Sequence, residues 1–472
     1  MSASKKRHHK PQALFWIALS FLVLAAFTGG ASRIDTPGLV LLKPAAVLLC
    51  GLAAVTLRRS QMESYRWIFL GFGAIMVVSL LQLIPLPPVL WRSLPGRDEL
   101  ARVDTIAGIS GAWRPLTLTP MNGWHAFTAL FVPLAMLLLA VQLDRRDLQR
   151  LLPVVLVLAG ISGLIGLLQV VGGGSESLYL YRGTNNGTAA GLFANRNHAA
   201  LLLAMMFPML AAWAMTGNDG KDRTRHWLRS ATAVAAGVVL LPMILVTGSR
   251  SGLLLCVPGL LAAVGMFAYW SPDHGVVGRH RRLIVAGGVM TIGALLLGLL
   301  SLYLSKGDAI RRLTSTSSGS EFRVDIWTTS LKLFWKYFPV GSGIGSFVEA
   351  YQVIEPYYQL NATFRNHAHL DFLEIGICLG VPGVVILIGG AIAYVRRSYR
   401  VWTARADTGD TIRFARMASI AIAMIAAASI VDYPMRTPFM MCIAVLLSLW
   451  LAQTDQPMAT TSHRRHRDAA EN

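Results

Sequence analysis

Leu14-Phe15-Trp16-Ile17-Ala18-Leu19-Ser20-Phe21-Leu22-Val23-Leu24-Ala25-Ala26-Phe27-Thr28-Gly29-Gly30 contains no ionisable side chain over seventeen residues. A run of this length, near the roughly 20 residues that cross a hydrocarbon core, predicts a membrane-spanning helix. Ile284–Leu304 repeats the pattern. Working outward, apolar runs predict about twelve spans, near 13–31, 38–57, 67–88, 123–143, 151–172, 198–216, 230–247, 252–270, 284–304, 370–394, 417–433 and 437–453. No small-residue cleavage site follows the first run, and Pro37 and Lys43 lead into the second, so the first is expected to be retained rather than removed as a signal peptide.

Composition agrees. The chain has 472 residues, of which 54% are hydrophobic and 14% charged, and its mean hydropathy is +0.52. Soluble domains carry about 25% charged residues. The expected fold class is therefore all-α integral membrane. A polytopic domain covers 13–453, between short basic tails at 1–12 and 454–472.

Charge predicts orientation, because short cytoplasmic loops collect Lys and Arg. With the N-terminus inside, Arg58-Arg59, Arg145-Arg146, Lys221 to Arg229, Arg279 to Arg282, Arg396 to Arg416 and Arg464 to Arg467 share one side. That side holds about +15 of the net +19, so topology accounts for the basic balance and no nucleic-acid partner is called for. Cys50, Cys256, Cys378 and Cys442 fall inside apolar runs, with no disulfide framework or zinc spacing.

Two outward loops are long. The first runs from about Pro88 to Gly123, the second from about 305 to 366 between the ninth and tenth spans. In the second, Ile326, Trp327, Leu331, Phe334 and Trp335 recur at helical spacing, which predicts an amphipathic helix on the bilayer surface or capping the bundle. Gly341-Ser342-Gly343-Ile344-Gly345-Ser346 then reads as a flexible turn.

Outward polar residues are not explained by the charge rule. Arg250 lies in Thr247-Gly248-Ser249-Arg250-Ser251-Gly252, where a helix N-terminus and a planar guanidinium together suit a phosphate, with a snorkelling surface arginine as the alternative. Gly191-Leu192-Phe193-Ala194-Asn195-Arg196-Asn197-His198 ends a loop and opens a span. Asn195 and Asn197 can cap the helix, and Arg196 and His198 add donors, so a cap and a site fit equally. Arg323 begins the amphipathic helix and suits a phosphate, or else an ion pair with Glu321 or Asp325.

The densest constellation is Arg365-Asn366-His367-Ala368-His369-Leu370-Asp371-Phe372-Leu373-Glu374, at the entry to the tenth span. Gly376, Gly380 and Gly383 follow seven, eleven and fourteen residues after His369, which on one helix places them on its face and turns His369 inward. A helix N-terminus would keep His369 neutral and able to accept a proton, with His367 oriented by Asp371. A metal set of His367, His369, His198 and Asp371 is the rival arrangement, set aside because no further clustered ligands appear.

Together with the stretch from Arg323 through Ile326-Trp327 to Pro339-Val340-Gly341 and Phe347, these four segments cover about 190–390 in order. In this the chain resembles the O-antigen ligase and O-antigen polymerase superfamily of bacterial inner-membrane glycosyltransferases. One departure is Leu370, where that family often has Asn or Ser after the second histidine. The resemblance implies a GT-C-like fold with its active face in the periplasm and no metal or other cofactor. It also implies transfer of a glycan from undecaprenyl pyrophosphate to a hydroxyl of another glycan or of the lipid A core. His369 and His367 are then the catalytic candidates. Arg250, Arg196, Arg323 and Arg365 are the pyrophosphate candidates, with Asn195, His198 and Asp371 beside them. Lipopolysaccharide and exopolysaccharide assembly both fit, and ligase and polymerase stay open. The alternative from another class is a transporter of a small anion such as bicarbonate. It should show inverted repeats and helices broken at the midplane, neither of which is read here.

Overall fold

The computed structural model describes residues 10–173, 176–181, 185, 187–217, 223–270, 319–360, 365–404 and 409–453. The expected ninth span at 284–304, the loop residues 305–318, the basic segment 279–282 and residues 454–472 lie outside them. Among the described residues, seven helices are long and apolar enough to cross a membrane, and four shorter apolar helices accompany them. The only strands there are Pro85–Leu86 and Arg114–Pro115, a two-residue antiparallel pair. In lipid every backbone donor must be satisfied within the chain, so helices follow wherever the apolar runs occur.

The runs map onto α1 (Lys10–Thr28), α2 (Gly38–Thr56), the short α3 (Arg59–Ser64) and α4 (Arg66–Leu81). The first long loop carries α5 (Pro88–Arg92) and α6 (Asp98–Ile106). Then come the consecutive α7 (Pro120–Ala129) and α8 (Phe131–Ala140), followed by α9 (Arg145–Val171), α10 (Arg196–Met215), α11 (Arg223–Val246) and α12 (Arg250–Trp270). The expected amphipathic helix is α13 (Gly319–Tyr337), followed by the short α14 (Phe347–Ile354). The chain closes with α15 (Asp371–Thr403), α16 (Asp410–Ala428) and α17 (Pro438–Ala452). The centre is α10, whose Ala-, Leu- and Met-rich sequence suits a helix and is buried on every face against α9, α11, α12 and α16.

Several helices outrun their apolar stretches at the end opposite the candidate site. The expected span 417–433 is a helix over Asp410–Ala428, because Arg413 and Arg416 are taken into the bundle. Arg413 donates to the Met215 carbonyl at 2.5 Å, and Arg416 donates to the Val401 carbonyl at 3.0 Å. Both cations thus meet the carbonyl ends of other helices, where positive charge is favoured. At the other end α4 stops at Leu81, seven residues short of the expected 88, because Pro85, Pro87 and Pro88 cannot continue it.

Two expectations about glycine change. Gly341, Gly343 and Gly345 have positive φ of 90°, 97° and 77°, and they form a packed crosspiece rather than a flexible turn. A Cβ on Gly343 would lie 2.1 Å from Thr117 Cα. Leu118 N donates to Ser342 O at 3.0 Å, and Ile344 N donates to Gln82 Oε1 at 2.8 Å. The two long loops are thereby sewn into one layer. The glycine stripe of α15 serves that layer as well: a Cβ on Gly376 would lie 2.9 Å from the Phe334 ring of α13. At Gly380 (φ 61°, ψ −150°) the helix itself breaks, against the expectation of unbroken helices. The freed N–H of Val381 donates to Pro339 O at 2.8 Å, so the break docks the glycine crosspiece.

Candidate active site

The site is built where four segments meet at one end of the bundle: the start of α10, the hairpin between α11 and α12, the approach to α15, and the turn between α16 and α17. Asn195 caps α10, its Oδ1 accepting from Asn197 N at 2.9 Å. Ser249 caps α12, its Oγ accepting from Gly252 N at 3.1 Å. The Asn195 cap follows the sequence expectation, and both residues do more than cap.

The centre is Asp432, in the turn after α16 and 2% exposed. Its Oδ2 accepts from Asn195 Nδ2 at 3.0 Å and from Asn197 Nδ2 at 2.7 Å. Its Oδ1 lies 3.2 Å from His369 Nδ1. His198, buried in α10, puts Nε2 3.9 Å from Oδ2. Burial opposes ionisation of Asp432, but the His369 hydrogen bond, the neighbouring histidines and Asn197 hold its carboxyl well below the usual carboxylate range. An ionised carboxylate only accepts, so the shared proton belongs to Nδ1 of His369 and the lone pair to Nε2. That is the tautomer a general base needs.

His369 does not sit on the helix. It precedes α15 with φ +52°, a left-handed conformation uncommon for a residue with a side chain. Such strain persists where the surroundings over-determine it. Here they do: Asp432 takes the ring, and Trp327 of α13 donates to the His369 carbonyl at 3.4 Å. The group beside the ring is therefore a carboxylate, not the helix N-terminus.

His367 has its own carboxylate, which is Glu374 at 2.9 Å and not Asp371. Glu374 also accepts from Ala368 N at 2.9 Å and lies 3.5 Å from Arg436 Nη2. Asp371 accepts from Arg436 Nε at 3.0 Å and from Ser429 Oγ at 3.2 Å. Burial works against the charge on Arg436, yet the two acids raise its pKa above the ordinary arginine value. Asp371 thus fastens the entry of α15 to the last turn. The two histidines differ in consequence. The carboxylate of His367 is shared with a guanidinium, whereas the hydrogen-bond donors described for Asp432 are two amides and the His369 imidazole. The His369 side chain is also the more exposed, 28% against 12%.

Tyr433 holds the rings in place. Its centroid lies 4.2 Å from that of His367, 4.9 Å from His369 and 5.2 Å from His198. Burial, with the negative charge of Asp432 beside it, pushes the phenol well above its ordinary pKa, so it stays neutral.

The arginines divide. Ser249 Oγ donates to Asn197 Oδ1 at 2.8 Å, which ties the Arg250 hairpin to the Asp432 network. Arg250 is exposed and opens α12. Arg196 opens α10, with Nη1 3.6 Å from where a Cβ on Gly248 would lie. Arg196 and the Arg250 hairpin are thus neighbours. Arg365 has other partners: it pairs with Glu355 at 3.8 Å and donates to the Gln359 carbonyl at 3.4 Å. Arg323 lies in α13, and its side chain is outside the described residues. Among the described residues no three His, Cys, Asp or Glu side chains are grouped to hold a metal ion.

Asp432, Tyr433 and Arg436 are absent from the sequence-derived site. The signal was an acid at the end of an apolar run, and ionisable groups there are functional by default.

These features define a class: a multi-pass helical membrane protein with a histidine–carboxylate site at one end of its bundle. Residues 235–388, about a third of the chain, match the O-antigen ligase family model. No curated protein matches the chain. The family match supports a role in surface polysaccharide assembly in a bacterial membrane.

Proposed function

We propose that the protein transfers an undecaprenyl-pyrophosphate-linked glycan to an acceptor hydroxyl on the periplasmic face, with His369 as general base. The observation that carries this reading is the Asp432–His369 contact, joined through Asn197 and Ser249 to the arginine hairpin. The acceptor O–H attacks the anomeric carbon, the bond from that carbon to the pyrophosphate oxygen breaks, and the acceptor proton passes to Nε2 of His369. Asp432 steadies the imidazolium as it forms, as the buried acid of a hydrolase triad does. Arg250 and Arg196 meet the charge that grows on the leaving pyrophosphate, with Arg323 as a third candidate. The protein's own contribution is then positioning and electrostatics, with the chemistry of the donor supplied by its activated leaving group.

The test is reconstitution in liposomes with an undecaprenyl-pyrophosphate-linked oligosaccharide and candidate acceptors. Product length separates polymerase from ligase. His369→Ala should abolish transfer at unchanged detergent melting, since a positioned base is worth about 10²–10⁴ in rate. Full activity in His369→Ala with loss in His367→Ala would move the role to His367, and full activity in both would end the general-base mechanism.

A further inference from the structure

Beyond the histidines, the layer on this face carries a second feature. After α14 the chain makes a short 3-10 turn, Tyr357–Gln359, that holds two large rings in the open: Tyr357 is 90% exposed and Tyr358 75%. The turn is firmly held. Gln359 is buried, its Oε1 accepts from the hydroxyl of fully buried Tyr351 at 2.8 Å, and its carbonyl accepts from Arg365. Arg365 in turn faces Glu355 and stands two residues before His367.

We propose that Tyr357 and Tyr358 form a stacking platform for the glycan being transferred or extended, on the turn that Arg365, two residues before His367, helps to hold. This rests on the glycosyl-transfer reading above and adds a carbohydrate subsite to it. Three observations support it. Aromatic rings exposed on a pinned turn offer large contact area at low entropic cost. The polarised C–H face of a pyranose packs on a π face, while its hydroxyls reach the polar edge that each tyrosine provides. The local charge fits a neutral polyol rather than lipid headgroups. Residues 347–360 contain no Lys or Arg and two glutamates, and the nearest arginine in sequence is engaged with Glu355. A contact with anionic headgroups would instead present basic side chains beside its aromatics.

Oligosaccharides released by mild acid from the host's own surface polysaccharide are titrated onto the purified full-length protein in nanodiscs. Wild type should bind. Tyr357→Ala/Tyr358→Ala should bind at least about 10-fold more weakly, or about 1.4 kcal/mol, while Tyr357→Phe/Tyr358→Phe, which keeps the rings, should stay within about threefold. If the alanine pair melts early, Tyr357→Ser alone replaces it. Equal binding by wild type and the alanine pair, or no binding by wild type, overturns the platform. So does strong quenching of Tyr357→Trp by brominated lipids in the nanodisc, which would place the ring in the bilayer. His369→Ala separates the two readings, since it should bind the oligosaccharide normally while failing to transfer. Normal transfer by His369→Ala would remove the general-base mechanism and leave the platform to be judged on binding alone.

Discussion

Asp432→Asn changes one oxygen to an amide nitrogen and removes one charge from the centre of the network. Wild-type Asp432 accepts from Asn195, Asn197 and His369. An asparagine there has a single acceptor oxygen for donors that approach from both sides. If its amide nitrogen faces His369, the imidazole must turn its lone pair inward, and Nε2 then carries the proton, the wrong tautomer for a base. If its oxygen faces His369, the tautomer survives but the charge does not. The charge contribution can be bounded from the 3.2 Å contact: two unit charges at that distance interact by about 5 kcal/mol at an effective dielectric of 20. Hydrogen bonds to charged groups contribute a net of about 1.5–3 kcal/mol. At about 1.4 kcal/mol per decade, the turnover number should fall between about 10-fold and 10⁴-fold. The assay is multiple-turnover glycan transfer in proteoliposomes, with donor KM and detergent melting recorded in parallel. On the proposed mechanism the fall should appear in kcat rather than donor KM, with Asp432 acting through His369 and the arginines binding the donor. Turnover within about threefold of wild type, in a variant that melts normally, would refute the role of Asp432 and with it the preference for His369.

Stability should show the same carboxylate. A group whose pKa is depressed on folding stabilises the protein above its unfolded pKa, near 3.9 for Asp, and that stabilisation is lost as pH falls below it. The gap in melting temperature between wild type and Asp432→Asn should therefore narrow from pH 6 to pH 3; a widening gap would contradict the depressed pKa. Arg250→Lys keeps the charge but loses the planar fork, so it should weaken undecaprenyl pyrophosphate binding by roughly 1–3 kcal/mol, and Arg196→Lys by less, with acceptor binding unchanged. Wild-type turnover in Arg250→Lys would count against the cationic clamp. Gly380→Ala places a Cβ 2.3 Å from the Pro339 carbonyl in a backbone region nearly exclusive to glycine, and should cost about 3 kcal/mol or more, read as loss of detergent melting temperature. For topology, Tyr357→Cys should react with a membrane-impermeant thiol reagent in cells with a permeabilised outer membrane, and Ser60→Cys should not. All four native cysteines are buried, which keeps the background low, and the reverse labelling pattern would overturn the periplasmic assignment.

What was legible in the sequence follows from the range of the forces involved. Apolar runs report burial in lipid locally, so eleven of the expected spans coincide with helices, and Asn195 could be read as a cap from its immediate neighbours. Helix ends were less legible. Arg413, Arg416 and Arg150 interrupt the apolar pattern while the backbone ladder runs on through them. The histidines stood out by their density, but their partners did not. Asp432 is 63 residues from His369 and 237 from Asn195 along the chain, and no periodicity links them. The glycines near 341–345 and 376–383 were seen as small residues, whereas what they admit, the Thr117 backbone and the Phe334 ring, comes from other loops and helices.

The position of Asp432 also sets an order of events during biogenesis. His369 and Glu374 enter with the approach to α15 and its first turn, but the acid beside one and the arginine beside the other arrive only with the turn after α16. Until that last hairpin has been inserted, the His369 ring lacks its carboxylate and two acids, Asp371 and Glu374, lack their cation. On the proposed mechanism, competence then arrives at a single late step, the delivery of eight residues, Ser429 to Arg436.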